Sequence, residues 1–537
     1  MNHKAITIHE NDNVAVALSD LAAGDTVSVN EIPVTLKTAV SAKHKFTLKE
    51  LRKDEEVIMY GVVVGKTTCD IKKGEVIATT NVQHSTAKVS GKKGDVNWTK
   101  PDVSKWKGRQ FMGFKRNEGQ VGTQNIWLFF PLVFCENKNI ETLKETFEKE
   151  LGYAQPTEYQ QLLRSVLQDE LADNSEIEAK NTSPLNNIEL KFITHNGGCG
   201  STRQDAEELS RLLAGYLNNP NVAGATVLSL GCQNLEVELF RKSVKAINPD
   251  FNKPLLIYDQ QELGTKETML NQAILESMYA ILLADKQERE PASLTNLTIG
   301  LECGGSDGFS GISANPVLGY VSDIIVALGG AVMLGEFPEL CGAEQNIVDR
   351  CANPGNATKF LNLMSKYEND AKVAGSGFDM NPSPGNIKDG LITDAMKSAG
   401  AARKAGSSPV ISVLDYGEYV NNKGLSLVCT PGNDVESTTI LAGAGANIIL
   451  FTTGLGTPTG NAVSPVIKVS SNSELAERMD DIIDLDAGPI ITGVKTIAEV
   501  GDELIELILE IASGTKNSKA TLNNQNDFIP WRRGISL

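Results

Sequence analysis

Short apolar runs separated by turn residues open the chain. AITI (5–8), NVAVAL (13–18), TVSV (26–29), IPVTL (32–36), EEVIMYGVVVG (55–65) and EVIATT (75–80) have the length and composition of strands, and Gly24-Asp25, Lys53-Asp54 and Lys73-Gly74 stand between them as turns. This pattern predicts a small all-β domain over residues 1–90. Residues 91–108 are rich in Lys, Gly, Ser and Asp, show little periodicity and read as a linker. The pattern then changes. IELKFITH (188–195), ATVLSLGC (225–232), PLLIYD (254–259), LTIGLEC (297–303), PVISVLDY (409–416) and ANIILFTT (446–453) read as buried strands. Between them lie helical segments such as ETMLNQAILESMYAILLADK (267–286) and DAEELSRLLAGYL (205–217), in which Leu209, Leu212, Leu213 and Tyr216 share one face. Strands alternating with helices predict a two-part α/β region with mainly parallel sheets. The polar, proline-containing QEREPASLTN (287–296) divides it into residues 109–290 and 291–537.

A chain of 537 residues exceeds what one hydrophobic core supports, in keeping with several domains. Its net charge of −17 and the lack of a dense basic run argue against nucleic acid as a partner. An anionic ligand would therefore need local compensation from Arg, Lys, helix N-termini or a metal. No stretch reaches the about 18 uninterrupted apolar residues of a membrane span, and Met1 to Asp20 lacks the layout of a secretory signal. A cytoplasmic protein without a membrane partner is expected. Eight widely spaced cysteines in so long a chain suggest free thiols or metal ligands rather than a disulfide framework.

Four of those cysteines share a context. Cys135, Cys199, Cys232 and Cys303 each stand at or just beyond the carboxyl end of an apolar run, and three are flanked by glycine. Ligands bind at that edge of an open α/β sheet, and thiolates converging there could hold iron or an iron–sulfur cluster. Small buried residues filling strand ends would look the same. Cys69, Cys341, Cys351 and Cys429 lack this context and read as structural.

LECGGSDGFSGISANPVLGY (301–320) runs from a strand through a glycine-rich loop into a helix, with Asn315 suited to the N-cap and Pro316 to the first turn. Ser306, Asp307 and Ser310 could bond the hydroxyls of a polyol, although a tight turn would also explain them. Two further loops, Asn381 to Asn386 and Phe451 to Pro458, offer Asn381, Asn386, Thr452 and Thr453 as polar ligands, with turn chemistry as the alternative. Among five histidines, His44 and His195 are the candidate proton carriers.

Taken in order, HENDNVAVAL, KHKFTL, KRNEGQVGTQN, HNGGCG, LGCQN, ECGGSDGFSGISANP, NPSPGN, FTTGLGTP and LDAGPIITG resemble the altronate and galactarate dehydratase family. The resemblance implies a SAF-type β-clip domain joined to the two-part α/β region. It also implies a hydro-lyase that dehydrates a hexonate, D-altronate giving 2-dehydro-3-deoxy-D-gluconate, with Fe(2+) or an iron–sulfur centre, or Mn(2+), as Lewis acid. Carried over by motif, His9, Asp12, Asn13, Arg116, Asn117 and Asn125 join the substrate-binding set with Ser306, Asp307, Ser310, Asn381, Asn386, Thr452 and Thr453. Cys135, Cys199, Cys232 and Cys303 form the metal-ligand pool, and His44, then His195, moves the proton. The chain departs from the family pattern at Gln124 and Asp486, which bears on the substrate. A small sugar acid and a second copy of the chain are the expected partners. Galactarate dehydration, sulfolactate cleavage and a non-catalytic sugar-acid binder are the alternatives. A nicotinamide enzyme is disfavoured because no GxGxxG follows an early strand.

Overall fold

In the computed structural model, residues 4–152 and 184–536 are described, with 159, 160, 162, 163 and 166 between them. The chain divides into two units, Met1–Gln124 with Arg211–Asn221 and Arg289–Arg532, and Asn125–Ser210 with Val222–Glu288 and Arg533–Leu537.

The first unit begins with the expected small β domain. Ala5–Ile6, Val14–Ala17, Lys45–Thr47 and Val76–Ile77 make one antiparallel sheet, and Glu56–Met59, Val62–Thr67 and Val82–Gln83 another. The run EEVIMYGVVVG is a hairpin rather than one strand. It reverses at Tyr60 and Gly61, both at positive φ, as a two-residue turn requires. Val57, Met59 and Val64 pack with Leu391, Met396 and Ala399, so the domain shares a core with the helix Asp394–Ala401.

Residues 84–109 contain no strand or helix, yet they lie along the unit. Ser90 bonds Gln345, Lys93 bonds Asp349, and Trp106 is buried in the main core. QEREPASLTN holds a strand that its polarity hid: Glu290–Ser293 pairs antiparallel with Gln110–Lys115. Side chains alone decide a hydropathy pattern, whereas this strand is made by backbone bonds to a partner distant in sequence.

The main sheet has seven strands, all parallel, in the order Val410–Leu414, Gly424–Val428, Ala331–Leu334, Thr298–Cys303, Ile448–Thr453, Val466–Ser470, Leu485–Asp486. The first strand in the chain, Thr298–Cys303, lies inside the sheet, with later strands added to either side. That is a topological switch point, where helices leave on both sides and a crevice opens at the carboxyl edge. The helix after it is Ala314–Leu328 with Ser313 at the N-cap, so Asn315 and Pro316 sit two positions deeper than expected. Asn315 instead bonds Gly400 and Thr452.

The second unit holds a parallel sheet in the order Glu189–Phe192, Ile126–Pro131, Val222–Ser229, Leu255–Asp259. Its core joins Trp127 and Phe129 to Ile140, Leu143 and Phe147 of one helix and Met269, Ala273 and Ile281 of another.

In the first unit, one buried amide holds three segments. Asn221 Oδ1 accepts from the Thr123 and Gln124 amides at 2.7 and 3.2 Å, and its Nδ2 donates to the Asn447 and Val463 carbonyls at 3.0 and 2.8 Å. Asn221→Ala strands these groups out of water, and should cost about 3 kcal/mol. The expected result is a lower apparent melting temperature with unchanged secondary structure by circular dichroism.

Candidate active site

The central strand Thr298–Cys303 ends in Glu302 and Cys303, both buried. Gly304 follows. A side chain there would collide with the Asp434 carboxylate and the Phe451 ring, so only glycine lets the chain turn against them. A cavity of about 490 Å³ opens at this edge, lined among others by Cys303, Glu339, Ser383, Asn386, Lys397 and Asp434.

Behind its wall lies a buried ionic cluster. Lys404 Nζ stands 2.7 Å from Cys303 Sγ and 2.6 Å from Glu336 Oε2. The thiol donates to Glu339 Oε2 at 3.2 Å, and Glu339 Oε1 pairs with Lys397 at 2.6 Å. Glu336 also accepts the Cys303 amide at 3.0 Å. It does so from a left-handed backbone, φ 61°, an uncommon conformation outside glycine that marks a held position. Burial, with Glu336 and Glu339 beside it, pushes the Cys303 thiol well up, so it remains a thiol. Burial opposes charge on Lys404, but the carboxylates of Glu336 and Glu339 overcome it and keep the ammonium. Burial and then Glu336 push Glu302 well up, and it accepts a bond from Ser437 Oγ at 2.6 Å.

The glycine-rich loop is built around Asp307. Its Oδ1 accepts from the Phe309 and Ser310 amides and from Ser310 and Ser471 hydroxyls; its Oδ2 meets Lys43 at 3.1 Å and Asn472 at 3.1 Å. Asp307 and Ser310 thus bond to protein. The Ser306 carbonyl accepts from Asn386 Nδ2 at 2.7 Å. Asn386 also completes a capping box with Ser383 on the short helix Pro384–Lys388, so NPSPGN is a helix start rather than only a rigid loop. Asn381 receives Lys397, Thr452 bonds Asn315, and Thr453 accepts the Gly456 amide.

His44 stands between two lysines tied to the same region. Lys43 bridges Asp307 and Asp389, and buried Lys45 donates to the Gly390 carbonyl at 2.7 Å. Burial lowers Lys45 to about 7, with Asp307 opposing. His44 itself is half-buried, with Nδ1 3.2 Å from the Ala42 carbonyl.

Other expected site residues lie elsewhere. His9 packs on Gly61 and lines a cavity of about 260 Å³ with Tyr60, Arg350 and Arg403. Asp12 and Asn13 bond backbone groups of the small β domain, at Ile8, His9 and Gly61 and at Glu56 and Ile58. Buried Arg116 donates to the carbonyls of Pro220, Gln124 and Asn221, while Asn117 is exposed in the adjoining turn. Asn125, in the second unit, donates to Ala284.

Cys135, Cys199 and Cys232 come together in the second unit, at the carboxyl ends of three adjacent strands. Their loops are cross-tied. Phe134 donates to Gly197, Leu235 donates to Gly198, and a side chain on Gly198 would strike the Leu132 carbonyl. His195 is engaged at both nitrogens, Nε2 with the Pro131 carbonyl at 2.8 Å and Nδ1 with the Gly197 amide at 3.1 Å. Burial lowers it to about 4, which makes it a neutral strut under the Cys199 loop. The Cys135 thiol is pushed up by burial and then by Cys199 and Cys232, the repulsion a bound cation would reverse.

An iron ion therefore fits the two cysteine sites differently. Cys135, Cys199 and Cys232 stand near enough to act on one another electrostatically but do not all share one 4.8 Å sphere, a looser set of thiols that suits an iron–sulfur centre more than a single ion. Cys303, Glu336 and Glu339 also present ligand atoms within 4.8 Å of one another, but the Lys404 ammonium already bonds two of them. Cys303 lies in the first unit, apart from the other three in the chain's division. Glu336, Glu339, Lys397, Lys404 and Asp434 escaped the motif reading. A faint signal existed in MKSAGAARKAG (396–406), where Lys397 and Lys404 stand seven apart in a run of mostly small residues.

Three family models match in order: altronate/galactarate dehydratase SAF domain over residues 3–85, D-galactarate dehydratase/altronate hydrolase second domain over 113–282, and D-galactarate/altronate dehydratase C-terminal over 294–536. The altronate dehydratase of Escherichia coli strain K12 is 36% identical over 99% of both chains, and that of Bacillus subtilis strain 168 is 33% identical over 99% of both. The galactarate dehydratase (L-threo-forming) of Escherichia coli strain K12 is 29% identical over 96% of this chain and 93% of its own.

Asp434 gives a pH test of the cavity. Burial, then Glu336 and Glu339, push its carboxyl from 3.8 to about 7. Between these values the folded state holds a proton that the unfolded chain releases, so stability falls as pH rises through that window and the loss is complete above it. Asp434→Asn should raise the melting temperature relative to wild type at pH 8 and leave it unchanged at pH 4; equal differences at both would refute the assignment.

Proposed function

Because the chain belongs to the altronate/galactarate dehydratase family, and so is a hydro-lyase, we propose that its substrate is D-altronate and its product 2-dehydro-3-deoxy-D-gluconate. The choice of altronate is carried by the end-to-end likeness to two altronate dehydratases, greater than the likeness to the galactarate enzyme. The cavity agrees with it: about 490 Å³ accommodates a six-carbon acid, and the Lys397 ammonium on its wall, paired with Glu339, offers positive charge beside which a carboxylate could lie.

The reaction breaks the C2–H bond, the proton passing to a base, and the C3–O bond, the hydroxyl leaving as water after protonation. The resulting enol takes a proton at C3 and becomes the 2-keto acid. His44 is the proposed proton carrier, since Nδ1 rests on the Ala42 carbonyl and the other ring nitrogen has no hydrogen bond within the described residues. Lys43 ties its segment to Asp307 and Asp389 and so fixes where the ring stands. Cys135, Cys199 and Cys232 would hold the iron, with His195 fixing the Cys199 loop. When bound, iron supplies a Lewis acid for charge developing on oxygen. Cys303 is outside this ligand set and serves the cavity wall as a thiol between Lys404 and Glu339. Eight free thiols fit a reducing, cytoplasmic setting.

Anaerobic protein loaded with ferrous iron should convert D-altronate to a 2-keto-3-deoxy acid; turnover of galactarate alone would transfer the assignment, and turnover of neither would refute it. Cys135→Ser should lower iron content, and an unchanged content would remove it from the ligand set. His44→Ala should fold, keep iron and lose about 10²–10⁴-fold in turnover, so wild-type turnover would eliminate it.

A further inference from the structure

A second group of ligand atoms lies outside the sites above. One atom each from His84, Cys341 and Asp394 falls within 4.8 Å of the others. The three come from separate segments. His84 follows Val82–Gln83, the last strand of the small β domain; Cys341 follows the turn Phe337–Leu340; Asp394 opens the helix Asp394–Ala401.

Their bonding is incomplete. Asp394 is 1% exposed, and its Oδ2 has no hydrogen-bond partner. Its Oδ1 has one long bond, 3.4 Å from Ser398 Oγ, and the Cys341 thiol is its other close polar neighbour. A buried carboxylate oxygen left unbonded calls for an explanation, because desolvation without a partner is costly. His84 is held as loosely, with Nδ1 3.4 Å from the Ala395 amide. The surroundings are acidic: Glu339 acts on Asp394, Glu344 and Glu368 on Cys341, and Asp379 on His84, with Lys397 as the opposing charge.

We propose that His84, Cys341 and Asp394 bind a divalent transition-metal ion of the zinc or ferrous type, distinct from the ion of the three-cysteine set. One imidazole, one thiolate and one carboxylate are a donor set such ions favour over magnesium or calcium, and three protein ligands leave a position for water. On binding, the Cys341 thiol and the Asp394 carboxyl release their protons to solvent, and the sulfur and a carboxylate oxygen take the metal. The ion cross-links the end of the small β domain to two segments that wall the large cavity. Glu339 precedes Cys341 by two residues, Lys397 follows Asp394 by one helical turn, and these two are paired at 2.6 Å.

The test uses the full chain carrying Cys135→Ser, Cys199→Ser and Cys232→Ser together, freed of metal and titrated anaerobically with cobalt(II). One equivalent should bind, with thiolate-to-cobalt charge-transfer absorption. Adding Cys341→Ser should abolish that absorption, and adding His84→Gln or Asp394→Asn should weaken binding at least tenfold, with circular dichroism confirming the fold. Elemental analysis of protein grown with zinc or with iron then tells which ion it takes. No cobalt binding in the triple variant, or binding that survives both Cys341→Ser and His84→Gln, overturns the proposal. Neither result touches the substrate assignment, which is read from altronate turnover by the wild-type chain.

Discussion

Lys404, buried between the sulfur of Cys303 and the carboxylate of Glu336, is the constraint on which the cavity wall depends. An ion taken from water into a protein interior is stable only where opposite charge and hydrogen bonds replace its hydration. Here Glu336, Glu339 and the two lysines supply that replacement for one another, and they come from two stretches distant in sequence: the carboxylates from a left-handed turn and the single helical turn that follows it, the lysines from the segment running from Asp394 to Ala405. Removing any one member leaves its partner charged and dry. The cluster thus sets how the carboxyl edge of the seven-stranded sheet closes, with the Cys303 sulfur bonded to both Lys404 and Glu339.

The two sheets use their carboxyl edges in different ways. In the larger one, the switch point around Thr298–Cys303 opens a polar cavity whose lining combines amides, a hydroxyl, an ammonium and a carboxyl held near neutrality. In the smaller one, adjacent strands deliver three thiols on loops tied together by backbone bonds and by a neutral histidine. The first arrangement suits recognition of a hydroxy acid and the second suits a soft, electrophilic ion. Both follow from one rule, that loops leaving the ends of parallel strands converge while the strands themselves hold them rigid.

The small β domain is more than an appendage within its unit. Its second sheet shares a hydrophobic cluster with Leu391, Met396 and Ala399, and Lys43 reaches Asp307 at the heart of the glycine-rich loop. His44 therefore stands just before the strand Lys45–Thr47 of the small β domain, next to a lysine that is held by charges outside that domain. The stretch after the domain, expected as a linker, lies against the same unit with Trp106 in its core, so composition misjudged its order: Lys and Gly make a segment look free, while a buried tryptophan and side-chain bonds to Gln345 and Asp349 hold it.

Apolar runs mark six strands of the two parallel sheets, those within 188–195, 225–232, 254–259, 297–303, 409–416 and 446–453, while Ile126–Pro131, Ala331–Leu334, Gly424–Val428 and Val466–Ser470 emerge as strands only in the structure. The collinear motifs likewise determined the family, since the loops they encode meet at sheet edges. Chain order could not reveal which thiols gather, as adjacency of Cys135, Cys199 and Cys232 depends on strand order rather than on position in sequence. Nor could it show that the nitrogens of His195, the guanidinium of Arg116 and the oxygens of Asp307 are already bonded by the protein. Glu336, Lys404 and Asp394 lay in segments with no motif at all. Only the tertiary structure places them, because the stability of a buried charge is decided by groups brought near it from elsewhere in the chain, and one-dimensional pattern carries no record of that proximity.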